Sequence, residues 1–224
     1  MIKAVIFDLD NTVYNYDECH KKAMERLEKF VCCKYSIHAD EFHRAYGDAK
    51  NEVKQLLDNT GSSHNRMLYM QIFLEKIGHS PVEDALELYD IYWNTMLGEM
   101  KLFPYVMPLF KRLKSRQILI GVLTDLTAQI KHRKIKTLGI SKYIDAIVTS
   151  EEAGKEKPST IAFERIIHKL NFDSNEILMV GDSMEKDIGG AMAVGMNSML
   201  FSVDDKSIMD KKVMEFIDER VDKK

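Results

Sequence analysis

Near the start of the chain, the apolar run AVIFDLDNTVY at residues 4 to 14 is interrupted by two carboxylates, Asp8 and Asp10, with Thr12 close behind. Other apolar runs also end in polar residues: Thr124 and Asp125 close ILIGVLTD, Asp182 closes EILMVGD, and Asp187 follows in the same segment. Carboxylates brought together in this way repel and shift one another's pKa unless a cation sits among them. With no His or Cys beside them the donors are hard oxygens, which suits Mg2+, an ion that takes one or two carboxylates together with phosphate oxygens and water. The implied chemistry is magnesium-assisted handling of a phosphate group. Lys157, in GKEKPST, supplies a balancing positive charge at the rim, with Pro158 setting the turn into the next helix. Lys155 competes with it, since alternate side chains of an extended stretch point to one side. Spacing alone leaves that choice open.

Elements must bring these residues together. Short apolar runs recur at 3–8, 118–124, 144–150, 176–182 and 197–201, and helical spacing lies between the later ones, as in Ile161, Ile166, Ile167 and Leu170. Strands that are apolar throughout, alternating with helices, predict a parallel sheet covered on both faces. Such a sheet binds ligands at the carboxyl ends of its strands, where Asp8, Asp10, Thr124, Asp125 and Asp182 fall.

The first interval breaks the rhythm, because residues 17–100 show no strand pattern. Phe42, Ala45, Ala49, Val53 and Leu56 are spaced as a helix, as are Met67, Met70, Phe73, Leu74 and Ile77, and then Ala85, Leu88, Tyr92 and Met96. Breakers separate them, NTGSS at 59–63 and GHSP at 78–81. The expected organisation is an α/β core from 1–16 and 101–224 with a helical subdomain inserted over 17–100. The tail from 210 to 224 reads as one amphipathic helix.

At 224 residues, 45% hydrophobic and 30% charged, the chain can bury a sizeable core and is neither disordered nor collagenous. A net charge of -3 gives no reason to expect nucleic acid. The basic run KHRKIK, Lys131 to Lys136, reads as the solvated face of a helix. Cys19, Cys32 and Cys33 form no CxxC, and the N-terminus lacks the basic and apolar regions of a signal peptide, so a cytoplasmic protein is expected. No apolar run approaches the roughly 18 residues that cross a bilayer, so no membrane partner is expected. His38 and His43 have no third ligand in sequence, which argues against zinc.

DLDNT at 8–12, LTD at 123–125, KP at 157–158 and GDSMEKD at 181–187 together resemble the ordered motifs of the haloacid dehalogenase superfamily. The resemblance covers essentially the whole chain, and it implies a doubly wound, Rossmann-like parallel core with an α-helical cap that closes over the strand ends. It also implies roles. Asp8 would be the nucleophile that becomes an aspartyl phosphate, and Asp10 would protonate the leaving oxygen and then activate water. Thr124 would hydrogen-bond the phosphoryl group and Lys157 would neutralise it. Asp8, the backbone carbonyl of Asp10 and Asp182 would hold Mg2+, with Asp187 beside them. In the dehalogenase branch the position of Asp10 is not an aspartate, so Asp10 points to phosphate ester hydrolysis. Asp125 stands where relatives commonly have Asn, and it carries no assigned role.

The expected activity is Mg2+-dependent hydrolysis of a small phosphorylated metabolite. In the cap, SSHNRM at 62–67 offers Arg66, Asn65 and His64 as contacts to the leaving group, or alternatively a helix start capped by Ser62 or Ser63. A phosphomutase of the same superfamily is the nearest rival. A phospho-accepting receiver is a more distant one, disfavoured by the insertion and by the acid at Asp10. Substrate identity and oligomeric state are not readable from the sequence.

Overall fold

The structure is a computed structural model and describes residues 1–58 and 60–220. Asn59 of the first breaker and residues 221–224 of the expected tail helix lie outside the described residues. The chain divides into two compact units, Tyr16–Met100 and Met1–Asn15 together with Lys101 onward.

The unit Tyr16–Met100 is helical: α1 (Tyr16–Tyr35), α2 (Ala39–Leu56), α3 (Arg66–Lys76) and α4 (Pro81–Glu99). Its apolar stripes meet in an interior where Phe42 of α2 and Phe73 of α3 lie edge to face, their ring centroids 5.5 Å apart. Leu56, the last residue of α2, leaves its stripe and is 70% exposed. α4 starts at a proline, whose missing N–H and fixed φ suit a first helical position. α3 is capped by Asn65, whose side chain accepts from the Met67 backbone N–H at 2.9 Å, so neither Ser62 nor Ser63 is the cap.

In the other unit the apolar runs become β1 (Ala4–Phe7), β2 (Leu119–Thr124), β3 (Ala146–Thr149), β4 (Ile177–Gly181) and β5 (Asn197–Leu200). They form one parallel sheet in the order β3-β2-β1-β4-β5. The helices here are α5 (Val106–Ser115), α6 (Ala128–Thr137), α7 (Ser150–Ala153), α8 (Thr160–Leu170), α9 (Gly190–Ala193) and α10 (Met209–Asp218). β1 and β4 are buried along their full length, which is why they read as unbroken apolar runs. Ala4 and Ile6 share a core with Phe163 and Ile166 of α8. Phe7 packs from the alternate position against Phe110 of α5, centroids 5.0 Å apart. Gly121 in β2 allows this density, because a Cβ there would meet Ile166 and Ile6 at 3.1 Å.

The chain runs from β1 to β2 on one side and later returns to β4 on the other, so the strand order reverses beside β1. Crevices of open α/β sheets form at the carboxyl ends of strands at such a reversal. One expectation fails in this unit. The run KHRKIK is not a solvated face: it lies in α6 with Lys131 and Lys134 buried, only 1% and 0% exposed. Among the described residues no helix is long and apolar enough to cross a membrane.

Candidate active site

Asp8 follows β1 directly, and its backbone N–H donates to the carbonyl of Val180 in β4 at 3.0 Å, so the central strands fix its position. Its carboxylate accepts from Lys157 Nζ at 2.8 Å, and the same ammonium donates to Asp187 Oδ1 at 2.5 Å and to the Leu123 carbonyl at 3.2 Å. All three side chains are buried. Burial raises the Asp8 carboxyl, Lys157 restrains the rise and Asp187 adds to it, leaving the group pushed up to about 7. Burial alone would lower Lys157, but Asp8, Asp187 and Asp125 reverse this and hold it firmly protonated.

Asp187 lies in the π-helical segment Met184–Gly189 after β4, where its Oδ2 accepts from the Ser183 backbone N–H at 3.0 Å. It fits against the strand because residue 181 is glycine: a Cβ there would lie 2.3 Å from Asp187 Cγ. Asp182 is more exposed, takes a 3.4 Å hydrogen bond from Thr12 Oγ1, and is raised by burial and by the charge of Asp187. Asp8, Asp182 and Asp187 each bring a carboxylate oxygen within 4.8 Å of the others. Three clustered carboxylates, offering only oxygen donors, fit a divalent cation.

Asp10 does not bring its carboxylate to that group. Its Oδ2 accepts from Lys131 Nζ at 2.9 Å, and its Oδ1 accepts from Lys134 Nζ and from the Tyr14 hydroxyl, both at 2.7 Å. Burial would raise this carboxyl, but Lys131 and Lys134 override it and hold it far below the usual carboxylate range. Thr124 ends β2 with its hydroxyl buried and, among the described residues, without a hydrogen-bond partner.

In the loop before α8 Lys155 is exposed, whereas Lys157 is buried and its ammonium is the one that reaches Asp8. The alternation expected of an extended stretch does not apply, because the chain turns there, with Gly154 at φ 79°. Asp125, without a role in the sequence reading, braces this loop: Oδ1 accepts from the Lys157 backbone N–H at 3.0 Å and Oδ2 from Lys186 Nζ at 2.9 Å. Lys186 also donates to Glu156 at 3.3 Å. Each partner is distant in sequence, so spacing gave no sign of the brace. Lys131 and Lys134 did leave a signal, since Ile130, Lys131, Lys134, Ile135 and Leu138 form one inward stripe of helical period.

Asn65 and Arg66 sit in the helical unit. Asn65 spends its amide oxygen on the cap of α3. Arg66 donates to the Tyr16 hydroxyl and to the His64 carbonyl, both at 2.9 Å, and its guanidinium lies over the rings of Tyr69 and Tyr92 at 5.1 and 5.4 Å.

Known proteins resemble this chain in sequence and in fold. The chain is 38% identical over 212 residues to the ribulose-1,5-bisphosphate 5-phosphatase of Halopiger xanaduensis, covering 92% of this chain and 87% of that one. It is 28% identical over 200 residues to the glyceraldehyde 3-phosphate phosphatase of Methanopyrus kandleri, covering 88% and 82%. The crystal structure of 2-haloacid dehalogenase from Pseudomonas syringae pv. Tomato has the same fold, with a TM-score of 0.71 at 23% identity over 90% of this chain and 86% of that one. The family model for haloacid dehalogenase-like hydrolase matches residues 5–201. A parallel sheet that carries Asp8, Thr124, Lys157 and Asp182 on its strand ends and following loops, matched along nearly its whole length, places the chain in the family of haloacid dehalogenase-like hydrolases.

Proposed function

We propose that this phosphatase hydrolyses the phosphate ester of a small sugar-like metabolite in two displacements on Asp8. The observation that carries the reading is the Asp8 carboxylate bound by the buried Lys157 ammonium, together with a buried Thr124 hydroxyl that has no hydrogen-bond partner among the described residues. In the first displacement an Asp8 oxygen attacks phosphorus, the ester P–O bond breaks, and the leaving oxygen takes a proton that Asp10, ionised beside its two lysines, must first pick up from solvent. In the second, Asp10 takes a proton from water as the water oxygen attacks phosphorus, which releases phosphate and restores Asp8.

Lys157 and Thr124 meet the phosphoryl oxygens with a charge and a donor, the two things phosphoryl transfer asks of a protein. Asp8, the carbonyl of Asp10, Asp182 and Asp187 would hold Mg2+, which supplies charge neutralisation at the phosphoryl group when bound. Arg66 belongs to the same reading: no carboxylate pairs with it among the described residues, and its Nε is buried without a partner, so it keeps a charge for an anionic group of the substrate. Asn65, with its amide nitrogen, is proposed beside it.

Sugar-like substrates are favoured by the relatives' names, since ribulose-1,5-bisphosphate and glyceraldehyde 3-phosphate are both short hydroxylated carbonyl compounds with a phosphate on a primary carbon. The test is release of inorganic phosphate from a panel of sugar phosphates with Mg2+. Asp8→Asn is expected to lower turnover by roughly 1000-fold or more while the circular dichroism spectrum is unchanged. Near-normal turnover by that variant would falsify the nucleophile assignment. An isomerised sugar phosphate with little free phosphate would make the protein a mutase.

A further inference from the structure

We infer that Lys131 and Lys134 are positioning residues that clamp the Asp10 carboxylate in one orientation and leave Oδ2 as the oxygen that takes the proton from the hydrolytic water. The inference rests on the reading of Asp10 as the base of the second displacement.

Burying an ammonium is costly, and here two are buried against a single carboxylate. A fold that needed only an anchor for α6 would be served by one lysine or by an apolar pair. Here the two ammonium groups, 1% and 0% exposed, reach the two different oxygens of one carboxylate. Rotation of the carboxylate about its bond to Cβ would break both contacts, so its plane is fixed.

Each carboxylate oxygen has two acceptor sites. Oδ1 fills both, with Lys134 and the Tyr14 hydroxyl, while among the described residues Oδ2 has Lys131 alone. The Asp10 side chain is 28% exposed, so the clamp does not seal it off. Lys134 Nζ also lies over the Tyr14 ring at 5.4 Å, which holds the two Oδ1 donors against each other. The lysines ride on the helix that follows Thr124 in sequence, so one segment supplies both the phosphoryl-facing hydroxyl and the clamp.

Losing the clamp should slow the second displacement and spare the first when the leaving group needs no proton. Para-nitrophenyl phosphate provides such a leaving group. For Lys131→Met and Lys134→Met, stopped-flow mixing with this substrate and Mg2+ is expected to show a burst of about one nitrophenolate per active site, followed by slow turnover. In steady state kcat and KM should fall together, kcat by roughly 30-fold, within the contribution of a general base, while kcat/KM stays nearly constant. Tyr14→Phe, which deletes one donor to Oδ1 and little volume, should show the same parallel fall to a smaller degree, and it keeps the test decisive if a methionine variant does not fold.

A fall in kcat/KM without a burst, or wild-type kinetics in the folded variants, would overturn the inference. Asp8→Asn and Asp10→Asn measured alongside separate the two layers. If Asp8→Asn still turns over, the underlying reading fails. If Asp8→Asn is inactive and Asp10→Asn bursts while the lysine variants behave as wild type, only the clamp fails.

Discussion

Thr124 is buried to 1% exposure and its hydroxyl has no partner among the described residues, a condition that destabilises the folded state by itself. Replacing it with valine removes the unmet hydroxyl and keeps the shape of a β-branched strand residue. The expected outcome is a melting temperature equal to or above wild type, with kcat/KM for a phosphate ester lowered by roughly 10- to 100-fold, as for a lost hydrogen bond of about 1.5–3 kcal/mol to a charged group. Differential scanning fluorimetry and phosphate release measure the two sides. A destabilised but fully active variant would mean the hydroxyl serves the fold and not the phosphoryl group. At this scale the sequence was informative wherever a polar residue ended an apolar run, because Asp8, Thr124 and Asp182 all fall at the carboxyl ends of strands of the one sheet. Lys131 and Lys134 were legible only indirectly, since a lysine on a helix is ordinarily solvated and it is the apolar neighbours on the same stripe that reveal an inward face.

Elements explain why the loops were harder to read than the strands. β1 and β4 announce themselves because both of their faces are covered. The segment around Lys157 turns, and the periodicity of an extended chain has no purchase on a turn. Between these cases lies the junction of β4 with the π-helical segment, where Gly181 gives Asp187 its place. An added methyl at 181 would lie 2.3 Å from Asp187 Cγ, so Gly181→Ala must move the carboxylate that Lys157 holds. The expected result is a loss of about 1–3 kcal/mol, as for other overpacked sites, together with weakened Mg2+ binding by isothermal titration calorimetry. Gly47→Ala in α2 is the matched control, because an added Cβ there meets nothing within 4 Å. Equal Mg2+ affinity in wild type and Gly181→Ala would show that Asp187 does not need this position to serve a cation.

For the molecule as a whole, the carboxylates of the site set how stability depends on pH. The Asp8 and Asp182 carboxyls titrate above the ordinary aspartate range, so between about pH 4 and pH 7 the folded protein binds more protons than the unfolded chain, and its stability falls as pH rises. Asp10, depressed by its lysines, has already reached its full stabilising contribution above its ordinary value and adds no slope in that window. Lys157, raised, keeps its contribution throughout. Thermal unfolding in EDTA is therefore expected to shift down from pH 5 to pH 8, at about 2–4 °C for each kcal/mol in a chain of this size. Added Mg2+ is expected to stabilise more at pH 8 than at pH 5, because its ligands must be ionised. A flat profile in EDTA would show that Asp8 keeps an ordinary carboxyl. The sheet order also governs how the protein is made. β1 is translated first, yet both of its neighbours, β2 and β4, are encoded beyond the helical unit. The helices of Tyr16–Met100 have partners within their own unit as soon as that stretch has left the ribosome, whereas the strand that carries Asp8 must wait for β4 to emerge. During synthesis the earliest residues of the site are thus among the last to be enclosed, and that interval of exposed apolar chain is when the nascent protein most needs a chaperone.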